Sequence, residues 1–242
     1  MILGLQPAHL GLIEKAFLQL KQFGNGLRSA DEKNAWFFQI VFELIDATLS
    51  NYDQLKIGYN TKNSHMLAWA CRNLLELAVF MKFVLICEAN ARRFAENRLI
   101  DGCDIITSLK TLELHIDQKS DTTLLDDALA RMQAQMAAEG VTATKYLRTS
   151  SLAETVGMKE EYLSMNRVCS KLVHPTAWSI LAVNRGDDAF SQSRPILFQA
   201  GAQYGCELYL AIKEYSAAHG MKPKTLSVAR VRETTTLDDR HS

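Results

Sequence analysis

The segment from Met66 to Cys87, MLAWACRNLLELAVFMKFVLIC, constrains this chain more than any other and contains neither proline nor glycine. As a helix it is long enough to cross a bilayer. It also carries Arg72, Asn73, Glu76 and Lys82, and charge at those depths in a membrane is costly. The reading that satisfies both facts is a helix buried inside a protein, with its charged groups paired to each other or to a neighbouring helix. Arg72 and Glu76 are four residues apart, so they share a helix face and can pair with each other. A chain built around such a helix must supply other apolar surfaces to cover it, and a helical bundle does this with the shortest connections.

The remaining sequence has the punctuation of such a bundle. Its 242 residues contain only 4 prolines and 12 glycines, and long stretches run without either. Pro7 suits a first helical turn, and an amphipathic run follows from Leu10 to Phe23, with Gly24-Asn25-Gly26 as its expected stop. Ser29-Ala-Asp-Glu32 has the pattern of a capping box, opening a helix expected to run to about Ser50. Gly58 to Asn63 is a turn cluster, and the apolar helix is expected over Ser64 to Glu88. One helix or a pair follows from Ala89 to about Leu114, then a helix from Asp121 to Ala138 with Gly140 as its stop. Ser151-Leu-Ala-Glu154 is a second candidate capping box, with Gly157 as an interruption. Lys159 to Val173 is expected as a helix that Pro175 ends, because proline excludes the preceding residue from helical geometry. Residues 183 to 195 are a polar loop, and a last helix is expected over Pro195 to Ala218. No run alternates between apolar and polar as a strand would. The expected fold is therefore all-α: a single bundle domain of roughly six to eight helices over residues 1–220, with a flexible tail over 221–242.

Charge and cysteine usage narrow the function classes. Lys and Arg total 27 and Asp and Glu total 27, so no global basic excess exists to hold phosphates, and any nucleic-acid site must be a local patch. The five cysteines are scattered and none forms a C-x-x-C pair, which excludes a disulfide framework and a zinc knuckle. The start, MILGLQPAHLGLIEKAF, lacks the basic, apolar and small-residue order of a secretory signal. A reducing cytoplasm and no membrane association are expected. The phosphate loops GxxxxGK[ST] and GxGxxG are absent, as are Glu-x-x-His, His-Glu-x-x-His and G-x-S-x-G. Glu113, His115 and Asp117 are alternate residues and point apart on a helix, so they cannot share a metal. No metal or cofactor is expected.

One constellation carries chemistry. In the run Tyr162 to Thr176, Arg167 and His174 are seven residues apart, close to two helical turns, and so share a face with Ser170 and Lys171. His174 precedes Pro175 and should sit at the helix C-terminus, where the dipole favours positive charge. An imidazole that exchanges protons beside a guanidinium is what phosphodiester cleavage without metal requires. The competing reading of the same residues is a capping histidine on a solvated face.

At these residues the chain resembles the HEPN (higher eukaryote and prokaryote nucleotide-binding) helical proteins. Many members carry an Arg, four to six residues, and a His near the end of a core helix; Arg167 and His174 have six between them. The combination of Arg72-x-x-x-Glu76 with Ser170-x-x-x-His174-Pro175 also resembles bacterial helical families of unknown function. The HEPN resemblance spans about Ser64 to Leu181. It implies an all-α homodimer with the Arg-His pairs of two chains facing one cleft, acting as a metal-independent ribonuclease in toxin-antitoxin or phage-defence systems. Arg167 would stabilise the transition state and His174 would be the general acid or base. Tyr162, Ser170 and Lys171 would hold RNA, with Arg72 and Glu76 behind them and an antitoxin or other protein as partner. Val168 departs from the pattern, since many members place a polar residue after the Arg. Arg72-Asn73 has that neighbour but no following His. The neutral charge and Val168 favour a different class, a non-catalytic interaction or regulatory module. The length of the apolar run raises a third reading, a bundle that holds an apolar ligand in its core.

Overall fold

Asn63 decides where the apolar helix begins. Its backbone is extended, at φ −87° and ψ 95°, and its side-chain oxygen accepts the N–H of Met66 at 3.0 Å. That bond satisfies a donor left free at every helix start. The structure, a computed structural model, describes residues 7–27, 35–141, 146–174, 176 and 188–219. Its helices are α1 (Pro7–Leu27), α2 (Ala35–Asn60), α3 (Ser64–Ile86), α4 (Glu88–Ile116), α5 (Thr123–Ala138), α6 (Thr149–Thr155), α7 (Lys159–Val173) and α8 (Asp188–Ala218). The fold is an all-α helical bundle, and the described residues form no strand.

The centre of the bundle is α3, enclosed by α2, α8, α7, α4 and α6. Leu67, Leu74, Leu75, Val79 and Val84 are fully buried, each contributing roughly 1.5–3 kcal/mol of transfer free energy. The polar groups of α3 are resolved at its edges. The Arg72 Nε donates to Glu76 at 3.0 Å, Asn73 donates to Asn51 at 2.9 Å, and the Lys82 ammonium meets Glu207 of α8 at 2.7 Å. No described helix is long and apolar enough to cross a membrane.

Close approach to α3 requires small residues on its neighbours. A Cβ on Gly58 of α2 would lie 2.8 Å from the backbone nitrogen of Leu67, and one on Gly201 of α8 would lie 3.2 Å from the Cα of Cys71. On the far side of α2, α1 contributes Phe17, whose ring stacks on Tyr52 at 3.6 Å between centroids, while the Tyr52 hydroxyl donates to Glu14 at 2.9 Å. Beyond α3, α4 and α5 form a hairpin that extends from the bundle: α5 packs on α4 and buries none of its residues.

Several expected boundaries move. Gly24 does not stop α1, which continues to Leu27; Gly24 is buried, with Ile45 of α2 close against it. The helix expected to end near Ser50 runs unbroken to Asn60, and the turn is confined to Thr61–Asn63, with Lys62 at φ 58°. Of the two alternatives after Cys87, one helix or a pair, the chain forms one helix. Ser151 lies inside α6 rather than capping it, and Gly157, at φ 74°, ends that element and admits α7. The last helix begins at Asp188 and holds Pro195 within it, so part of the expected polar loop is helical; the proline gives up one backbone bond and the turns around it persist. The capping box at 29–32, residues 183–187 of the loop and the tail from 221 to 242 lie outside the described residues. The limits of α7 are as expected, Lys159 to Val173.

Candidate functional site

The first turn of α7 carries Glu160 and Glu161 and its last turn Lys171, charges that suit the two ends of its dipole. Tyr162, Cys169 and Leu172 are buried on the side facing the bundle, with Met165 and Val173 packed beside them. The opposite side presents Arg167, Lys171 and His174 to solvent, with Ser170 half-buried between. The helix ends as its sequence demands. His174 is the C-cap, extended at φ −90° and ψ 145°, and its N–H donates to the Ser170 carbonyl at 3.1 Å. Thr176 closes the same end, its hydroxyl donating to the Lys171 carbonyl at 3.4 Å.

The expected site residues therefore divide into two groups. Arg167, Ser170, Lys171 and His174 lie along one exposed face, where neither Arg167 nor Lys171 has an ion-pair partner among the described residues. Arg167 and His174 are separated by about 10 Å along the helix axis, so a bound group must bridge two turns to meet both. The second group lies beneath, in the seam between α3 and α7. There Tyr162, 7% exposed, sits within the fields of Arg72 and Glu76. Burial pushes the Tyr162 hydroxyl up, Glu76 adds to this, and Arg72 and a hydrogen bond from Thr149 oppose it. Tyr162 thus lies buried on the bundle side of α7, while Lys171 is exposed on the other. Arg72 and Glu76 pair with each other on α3 at 3.0 Å, and their charges act on the Tyr162 hydroxyl.

Sequence reasoning missed the rest of the seam. Cys71 and Cys169 are both fully buried and their sulfurs are hydrogen-bonded. That bond and burial hold the Cys71 thiol well above its usual range, while the same bond, with help from Arg72, lowers Cys169. Burial also raises the Tyr204 hydroxyl of α8, and the Glu161 carboxylate that accepts its hydrogen bond raises it further. Nothing in the spacing of 71, 161, 169 and 204 announces these contacts, since each pair joins distant parts of the chain.

A second concave feature lies elsewhere. The ends of α3 and α6 and the C-terminal half of α8 border an open groove of about 800 Å³, lined by Leu85, Ile86, Val156, Leu210 and Tyr215 around the Lys82–Glu207 pair. Most side chains of the apolar run are buried, and this groove lies at the edge of α3, against Lys82, Leu85 and Ile86. No group of three or more histidine, cysteine, aspartate or glutamate side chains placed to hold a metal occurs among the described residues. Glu113 instead accepts the Ser120 hydroxyl at 2.8 Å, and Asp117 caps α4.

Fold and site together define an all-α bundle with a solvent-facing cationic helix face that ends in a capping histidine. The chain belongs to a family of unknown function, DUF5677, which matches residues 40–191. The match takes in all of α3 with Arg72 and Glu76, and all of α7 with Arg167 and His174. No curated protein and no solved structure matches the chain.

Proposed function

We propose that the protein is a metal-independent ribonuclease of the HEPN kind, acting as a homodimer in the cytoplasm and held in check by an antitoxin or similar partner in a toxin or phage-defence role. The observation that carries this reading is the exposed face of α7, where Arg167 and Lys171, neither with an ion-pair partner among the described residues, stand on the same side as a histidine placed at the helix end. In the reaction, a base removes the proton of the ribose 2′-hydroxyl and the resulting oxygen attacks the adjacent phosphorus. The 5′-oxygen then leaves with a proton supplied by an acid. His174 serves as one of these two proton carriers. Arg167 stabilises charge building on the phosphorane oxygens, and Lys171 and Ser170 hold the phosphate. Arg72, Glu76 and Tyr162 keep α7 in register beneath them.

The competing reading is a non-catalytic interaction module. It is favoured by the 27-to-27 balance of charges and by Val168, 48% exposed beside the face, where the resemblance calls for a polar residue. Incubation of the purified chain with total RNA in excess EDTA separates the two. Cleavage by the wild type and none by a folded His174→Ala variant is the expected result. Cleavage retained in His174→Ala overturns the assignment of the site, and no cleavage by either protein transfers the face to the interaction reading.

A further inference from the structure

The hairpin of α4 and α5 brings three sulfur-bearing side chains together. The thiol of Cys103 on α4 donates to the Met136 sulfur of α5 at 3.7 Å. One turn earlier on α5, Met132 lays its sulfur against Gly102, the residue before Cys103. A Cβ on Gly102 would collide with that sulfur, so the glycine opens the space it occupies. Cys103, Met132 and Met136 are all half-buried, within reach of an ion from solution. Two ion pairs, Arg98–Glu139 at one end and Lys110–Asp126 at the other, hold the helices in register around them.

We propose that Cys103, Met132 and Met136 form a binding site for a soft monovalent metal ion, copper(I). Thiolate and thioether sulfurs select copper(I), whereas hard divalent ions take carboxylate and carbonyl oxygens. The neighbouring carboxylates are engaged elsewhere: Glu139 with Arg98 and Gln135, Asp101 with Asn97, and Asp126 with Lys110 and Thr122. Asp104 is exposed to solvent. The sulfur spacing fits one ion. A metal–thiolate bond is about 2.3 Å in zinc sites, and two bonds of that length to sulfurs 3.7 Å apart meet at about 110°. That angle leaves room for a third ligand, which Met132 supplies by rotating its flexible side chain. On binding, Cys103 gives its thiol proton to solvent, and its thiolate and the two thioethers donate electron pairs to the ion. No electron is transferred.

The hairpin gains a bridge from such an ion. Although α5 packs on α4, it buries none of its residues. An ion held by Cys103, Met132 and Met136 ties α5 to the helix that carries it, and its binding free energy adds to the stability of the hairpin. The site lies on α4 and α5 and stands whether or not the α7 face cleaves RNA.

Anaerobic titration of the full chain with copper(I) bicinchoninate, a coloured chelate, with ascorbate present tests this. Exposed Cys87 also offers a thiol, so the comparisons are made in a Cys87→Ser background. That parent protein is expected to draw copper from the chelate. Adding Met132→Leu/Met136→Leu keeps Cys103 and nearly the same side-chain volume, and is expected to weaken binding at least about tenfold. Adding Cys103→Ser is expected to do the same. Hydrogen exchange locates the ion, since copper should slow exchange in α5, Thr123–Ala138. A parent protein that takes no copper overturns the proposal. So does equal affinity in the double leucine variant, because thiols alone then hold the ion. Copper that binds without slowing exchange in α5 overturns it as well.

Discussion

Two buried cysteines show how much a side chain's neighbours decide. The chain has five thiols, and sequence offers no way to rank them. The fold does: Cys71 and Cys169 are sealed in the α3–α7 seam, while Cys87 is exposed between α3 and α4. Disulfide exchange needs access as well as thiolate, so the lowered Cys169 remains shielded. Treatment of the native protein with an aromatic disulfide reagent, followed by peptide mass mapping, should label Cys87 promptly. Cys71 and Cys169 should react only after denaturant is added. Early modification of Cys169 would mean that α7 lifts from α3 in the native state. The functional candidates obey the same logic. Val173 and His174 are adjacent in sequence, yet one packs on the core and the other caps the helix in solvent. His174→Ala should therefore leave stability nearly unchanged while removing any activity the face supports.

Between elements, the closeness of backbones sets what each helix can tolerate. Gly58 lies in the last turns of α2, where its missing Cβ lets the chain reverse tightly into α3. A methyl group there meets backbone rather than a side chain that could swing away. Gly58→Ala should cost about 1–3 kcal/mol despite the better helix propensity of alanine, read as a fall in the urea midpoint at constant slope. A midpoint equal to or above that of the wild type would show that α2 and α3 separate without penalty. The α4–α5 hairpin presents the opposite case. Its outer residues bury little, so Leu109→Glu/Leu112→Glu should leave the helical content unchanged, read by far-ultraviolet circular dichroism.

For the whole molecule, the buried hydroxyls and thiols fix its response to alkali. Burial raises the pKa of Tyr52, Tyr162 and Tyr204, and that of Cys71 is raised by its bond to Cys169 and by burial. All four hold their protons more firmly folded than unfolded. Their contribution is complete below the ordinary values of 9.0 for the thiol and 10.0 for the phenols, and it is lost as pH climbs from there through the raised folded values. Urea unfolding followed by circular dichroism should show stability falling above about pH 9. A flat profile to about pH 11 would mean that these groups ionise without unfolding the bundle. The all-α class, the central helix and the limits of α7 were legible because periodicity, capping and the restriction before proline act over a few residues. The shared face of Arg167, Ser170, Lys171 and His174 was legible for the same reason, since helical period alone aligns them. The unbroken reach of α2 was not, because burial against α3 and α8 outweighs the local weakness of its polar middle. Nor was the separation of Tyr162 from Arg167, five residues away, because only the position of α3 decides which side of α7 is inside. Sequence thus determined which residues share a line on a helix, which is a property of the backbone period. Tertiary structure decided which of those lines is buried and which is presented, because that depends on where the neighbouring helices lie.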